Sequence, residues 1–133
     1  MSPIVITPYR PDWPAEFLAL ARRIREALGP AALRIDHIGS TSVPGLAAKD
    51  LIDVQVTVVE LTAEITDLLI AAGFLPNERY LRDHVPPGMS AEPAEAWSKL
   101  FFRPANGARA ANIHVRVEGR PNQRFALLFR DYL

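Results

Sequence analysis

Apolar and polar positions recur along this chain with two different periods, and the changes of period mark out its elements. Ile4-Val5-Ile6-Thr7 is a β-branched run closed by Pro8, which predicts a short strand at a sheet edge. Tyr9-Arg10-Pro11-Asp12-Trp13-Pro14 then turns into a helix, with Asp12 suited to its N-cap and Pro14 to its first turn, where no N–H is needed. Phe17, Leu20, Ala21, Ile24, Ala27 and Leu28 follow at helical spacing, with Glu16, Arg22, Arg23, Arg25 and Glu26 mostly on the other side, until Gly29-Pro30. From Leu33 to Ile38 the period drops to two, Leu33, Ile35 and His37 alternating with Arg34 and Asp36. After a turn rich in Gly, Ser, Thr and Pro, the run Leu51 to Val59 is β-branched and nearly continuous. That pattern predicts a strand buried on both faces, with Asp53 and Gln55 as polar intrusions.

Glu60-Leu61-Thr62 leads into a second helix, with Ile65, Leu68, Leu69 and Ala72 as its stripe and Gly73 as its stop. From Pro76 to Pro93 no period holds. The expectation there is a long excursion with a short strand at Tyr80–Leu81, a kind of segment more often functional or mobile than idle. Trp97 to Arg103 and Ala111 to Val117 read as two strands of an antiparallel hairpin across Pro104-Ala105-Asn106-Gly107. Pro121 opens a last helix with Phe125, Leu128, Phe129 and Tyr132 on one face. Helix, strand, strand, helix and strand pair, after a short leading strand, predict an α/β (α+β) domain with a mixed sheet and flanking helices.

Composition narrows the classes. The 133 residues suit one domain, residues 1–133, with a single core. Lys+Arg and Asp+Glu balance at 15 each, so nothing points to nucleic acid or a membrane surface, and any anion site must be local. There is no cysteine, which removes disulfides and thiolate chemistry. The start of the chain lacks the pattern of a signal peptide and no apolar run is long enough to span a bilayer, so a soluble, cytoplasmic protein is expected.

Potential chemistry is concentrated between the two central strands, from His37 to Asp53. Gly39 and Gly45 admit backbone angles that other residues resist, and Ser40, Thr41 and Ser42 add hydroxyls. Such a turn can present several N–H groups and three hydroxyls to one anion, although an ordinary strand connection has the same composition. It is neither a Walker A loop nor Gly-x-Gly-x-x-Gly. A hydrophobic residue, Gly-Ser, and later an acidic residue within a strand resembles the motif of the nucleotidyltransferase superfamily. There Gly-Ser holds triphosphate and two carboxylates on the next strand hold divalent metal. The carboxylates must stand two apart, because a strand's period of two then puts both on one face. Asp53 is well placed, but its same-face neighbours are Leu51 and Gln55, and Asp50 is expected to point to the opposite face. The missing second carboxylate counts against catalysis.

His37 precedes the turn, and His114 sits mid-strand in Asn112-Ile113-His114-Val115. If the strands of Asp53 and His114 are neighbours, an Asp53/His37/His114 cluster can bind a transition metal or act as base and orienting acid. Taken singly, each histidine is more often a hydrogen-bonded core residue. Lys49 can neutralise phosphate, pair with Asp50 or Asp53, or stand in solvent.

With these residues in place, the chain is identified as a member of the GrpB family, small proteins of the nucleotidyltransferase fold superfamily. The resemblance rests on Tyr9–Pro14, on His37-Ile38-Gly39-Ser40-Thr41-Ser42-Val43-Pro44-Gly45-Leu46-Ala47-Ala48-Lys49, on Ile52-Asp53-Val54, on Ile113-His114-Val115 and on Phe129-Arg130-Asp131-Tyr132-Leu133. It implies the fold and a site at His37, Gly39, Ser40, Lys49, Asp53 and His114, but no settled activity. It also implies a link to dephospho-coenzyme A kinase, to which family members are sometimes fused. Relatives continue into further helix, so the last helix is either a natural short form or a truncated one, and its apolar face is expected to be open or covered by a second copy in a homodimer. The first functional reading is a nucleotidyltransferase-type domain that binds a nucleotide or another small phosphorylated molecule. In it Gly39, Ser40, Thr41 and Ser42 cradle phosphate, Lys49 neutralises charge, and Asp53 with His114 holds Mg²⁺ or another divalent metal. The second is a metal-dependent hydrolase using His37, Asp53 and His114. The third is a non-catalytic scaffold that works through a partner such as a coenzyme A pathway kinase.

Overall fold

The computed structural model describes residues 5–88 and 94–131. The expected positions Ile4, Pro93, Tyr132 and Leu133 lie outside the described residues. Strand β1 (Ile6–Thr7) pairs antiparallel with β3 (Ala48–Lys49) as a two-stranded ribbon. The main sheet holds β2 (Arg34–Ile38), β4 (Ile52–Val58), β5 (Phe74–Pro76), β6 (Leu100–Pro104) and β7 (Ala111–Val117) in the order β2-β4-β7-β6-β5. Among the described residues only β4 and β7 run parallel and the other pairs of this sheet are antiparallel, so the sheet is mixed.

Helices α1 (Trp13–Leu28) and α2 (Ala63–Ala71) supply apolar side chains to a core with one face of this sheet. Trp13, Ile24 and Leu69 are fully buried, with Val54 and Val56 from β4 and Ile113 and Val115 from β7 in the same cluster. Each such side chain contributes about 1.5–3 kcal/mol on burial. Thr62 caps α2, its hydroxyl accepting from the Ile65 N–H at 3.4 Å. Asp12 precedes α1 in helical backbone geometry and makes no side-chain cap. Its carboxylate lies beside Arg10 instead, 3.6 Å away.

The other face carries the alternate residues, Asp53, Gln55 and Thr57 of β4 and Asn112, His114 and Arg116 of β7. Gln55 and Thr57 are fully buried, because α3 (Pro121–Asp131) packs its first turn over them. The expected excursion is partly ordered. Phe74–Pro76 forms the edge strand β5, too short and too close to Pro76 to show as a period. Tyr80 lies in a 3₁₀ turn, Glu78–Tyr80, where a strand was expected, and Trp97 ends another, Ala94–Trp97, so β6 starts only at Leu100. The Asn77 side chain accepts from the Arg79 N–H at 3.1 Å, a local bond that favours the turn over a strand.

Candidate functional site

β2 and β4 are antiparallel neighbours, so Ile38 lies opposite Asp53 and the turn after β2 leaves the sheet beside that carboxylate. Gly39 begins the turn at φ +73°, a left-handed angle that suits glycine. A Cβ there would stand 2.6 Å from Asp53 Oδ2, so Gly39 is also the space the carboxylate occupies. Ser40–Ser42 then form one 3₁₀ turn. Ser40 is exposed, whereas Thr41 is buried and its hydroxyl donates to the Leu51 carbonyl at 3.1 Å. The Ser42 hydroxyl donates to the Gly39 carbonyl at 2.5 Å. Two of the three hydroxyls thus brace the turn itself.

His37 faces away from Asp53. Its register partner is Val54, on the core face, and its ring stacks on Phe17 of α1 at 4.9 Å. Because the Thr41 hydroxyl donates to Leu51, it accepts from His37 Nε2–H, 2.9 Å away. Burial, only partly offset by Asp53, lowers the pKa of His37 to about 4. A neutral ring is what this position holds, and what it does is support the turn from below.

His114 does meet Asp53, with Nε2 3.3 Å from Oδ1. Its Nδ1 faces Lys99 Nζ at 3.0 Å and Arg116 Nη2 at 3.4 Å. Arginine has no acceptor, so Nδ1 carries the lone pair and Nε2 the proton, which is donated to Asp53. Burial is the main cause that lowers the His114 pKa; Lys99 and Arg116 add to it and Asp53 opposes. Both cations converge on Asp83. Arg116 grips it with two bonds of 3.0 Å and Lys99 Nζ lies 2.6 Å away. Burial alone would raise the Asp83 pKa, but these two cations hold it well below the usual carboxylate range. Arg116 also donates to Gln55 Oε1 at 2.9 Å, and Asn122 of α3 donates to Asp83 Oδ2 at 3.0 Å.

As the side chains stand, Asp53 and His114 are joined by a hydrogen bond. Among the described residues no group of three or more His, Cys, Asp or Glu side chains could hold a metal ion. The one histidine beside Asp53 turns a protonated nitrogen to it and keeps its lone pair between two cations. Asp50 is engaged elsewhere, accepting from the Trp13 indole N–H at 2.8 Å and pairing with Arg10 and Arg109. Those donors, the indole foremost, hold its carboxyl below the ordinary value. Lys49 is exposed on β3 opposite Ile6, and His84 is exposed on the loop after the Glu78–Tyr80 turn.

Lys99, Arg116 and Asp83 were not among the expected site residues. The available signal was alternation: Arg116 stands two after His114, and Lys99 two before Phe101, which lies opposite His114. Beside Asp53, Leu51 and Asn112 line a groove of about 300 Å³ with Arg103, Asn106 and Arg109.

The family model for GrpB protein matches residues 3–133. The chain belongs to the GrpB family. The crystal structure of conserved protein GrpB from Enterococcus faecalis has the same fold, with a TM-score of 0.71 at 30% identity, over 97% of this chain and 72% of that one. The dephospho-CoA kinase of Mycolicibacterium paratuberculosis is 40% identical over 99% of this chain, which spans only 36% of that relative's length. Cid1 in complex with the UTP analog UMPNPP matches 96% of this chain and 37% of its own, with a TM-score of 0.57. At 14% identity that likeness shows the fold alone. Among the described residues no helix is long and apolar enough to cross a membrane.

Proposed function

We propose that this GrpB domain binds the phosphate of a nucleotide, or of another small phosphorylated molecule, where the Gly39–Ser40 turn meets Asp53. The observation that carries the reading is the close fit between Gly39 and Asp53 Oδ2, which sets a part-exposed carboxylate directly against the turn that continues into the exposed Ser40. The fold shared with Cid1, whose structure holds the UTP analog UMPNPP, supports the same choice. A carboxylate and a phosphate repel, so the ligand is read as a nucleotide carrying its own Mg²⁺, with Asp53 the protein's single contact to that ion. Phosphate would lie against the exposed start of the turn at Ser40, and the rest of the molecule in the groove lined by Asn112 and Arg103. The reading is one of binding; it requires no turnover.

Thermal unfolding against UTP, ATP, pyrophosphate and dephospho-CoA, each with and without Mg²⁺, tests it. A ligand at a hundredfold its Kd stabilises by about 2.7 kcal/mol, which is visible as a raised midpoint. The expected result is a shift that needs both phosphate and Mg²⁺ and is lost in Asp53→Asn. No shift with any of them would overturn the reading.

A second reading has its own observation. Nearly the whole chain aligns within a third of a dephospho-CoA kinase, which favours a unit that works beside such a kinase. Sedimentation of the chain mixed with the dephospho-CoA kinase of its own source would show a joint species if so, and two independent boundaries if not.

A further inference from the structure

The two oxygens of Asp53 have different surroundings. Oδ1 accepts from His114 Nε2, and Oδ2 is the oxygen that fills the space above Gly39. The His114 ring is itself held at every edge. Lys99 Nζ and Arg116 Nη2 point at Nδ1, Asp83 fixes both cations, and Phe101 meets the ring edge-on at 4.9 Å between centroids. Gln55 and Asn122 complete the cage by binding Arg116 and Asp83. Residue type alone would make Asp53 and His114 a pair of metal ligands. The hydrogen-bond pattern gives the histidine the opposite part.

We infer that His114 is a positioning residue and not a metal ligand: the Asp83–Lys99–Arg116 cage fixes it as an Nε2–H donor that pins Asp53 Oδ1 and turns Oδ2 toward the Gly39 turn. The inference rests on the phosphate reading for the purpose of that orientation, but the state of His114 can be measured without any ligand. Removing the cage frees the ring to turn away from Asp53. The carboxylate would then lose its donor and its fixed direction.

The test is nitrogen-15 NMR of the histidine side chains in the full chain at neutral pH, with Zn²⁺ alone as the probe. The expected spectrum shows His114 protonated at Nε2, with Nδ1 a hydrogen-bond acceptor and both signals unmoved by Zn²⁺. Lys99→Met moves the Nδ1 signal, and Lys99→Arg restores it. A His114 protonated at Nδ1, or an Nε2 that loses its proton to Zn²⁺, would overturn the inference; the wild-type spectrum alone decides this if a variant fails to fold. A second measurement separates orientation from ligation. His114→Gln keeps a donor in place of Nε2–H, so it should retain the Mg²⁺–UTP stabilisation that His114→Ala loses. Equal loss in both variants contradicts the positioning role. If Mg²⁺–UTP stabilises not even the wild type, the phosphate reading fails while the NMR result still decides the state of His114.

Discussion

Gly39 answers to two constraints at once, a backbone angle of φ +73° and a carboxylate in the place of its absent side chain. Gly39→Ala is therefore expected to cost about 1–3 kcal/mol through left-handed strain, measured by urea denaturation. It should also abolish the Mg²⁺–nucleotide shift, because Asp53 must move. His37 makes a different prediction, from below the same turn. Its folded pKa of about 4 lies under the ordinary 6.5, so the unfolded chain takes up the proton first as pH falls. The stabilisation is complete above pH 6.5 and is lost progressively as pH falls towards 4. His114, shifted in the same direction, adds to that loss. The urea midpoint should drop through this window in the wild type and drop less in His37→Phe, which keeps the stack on Phe17 but cannot be protonated. An equal drop in both would show that His37 takes no part.

At the scale of elements, the short helix α2 depends on its start. Thr62→Ala removes the acceptor for the Ile65 N–H and should cost about 1 kcal/mol in chemical denaturation, with no effect on nucleotide binding. The long elements were legible because their periods run long enough to repeat: α1, β2, β4, α2, β7 and α3 lie where their apolar spacing puts them, and β6 does so except that it starts three residues later than expected. β5 was not, since three residues ending at Pro76 repeat nothing. His37 shows where pattern stops. The alternation Leu33, Ile35, His37 already placed it on the apolar side of β2, and grouping it with Asp53 ignored that side. Whether Asp53 and His114 face each other depended on β4 and β7 being parallel neighbours, which is a matter of register across long sequence separation. No local spacing encodes it. The cage around His114 was hidden for the same reason, because Asp83 comes from a segment without any period.

At the scale of the molecule, the sheet divides into an apolar face under α1 and α2 and a polar face whose charges satisfy one another. That arrangement makes Asp83 the most costly charge to remove. Asp83→Asn leaves Lys99 and Arg116 buried against each other, and a loss of about 3–5 kcal/mol is expected in urea denaturation. The same face sets Asp53 against the Gly39 turn, and membership in the GrpB family gives the fold without assigning a reaction. The most direct test of the central claim is residue-resolved: backbone amide NMR of the chain titrated with Mg²⁺–UTP. Binding at the proposed place predicts saturable shifts at Gly39, Ser40, Asp53 and Asn112, with α2 unaffected. Shifts confined to other surfaces, or none at saturating nucleotide, would contradict it.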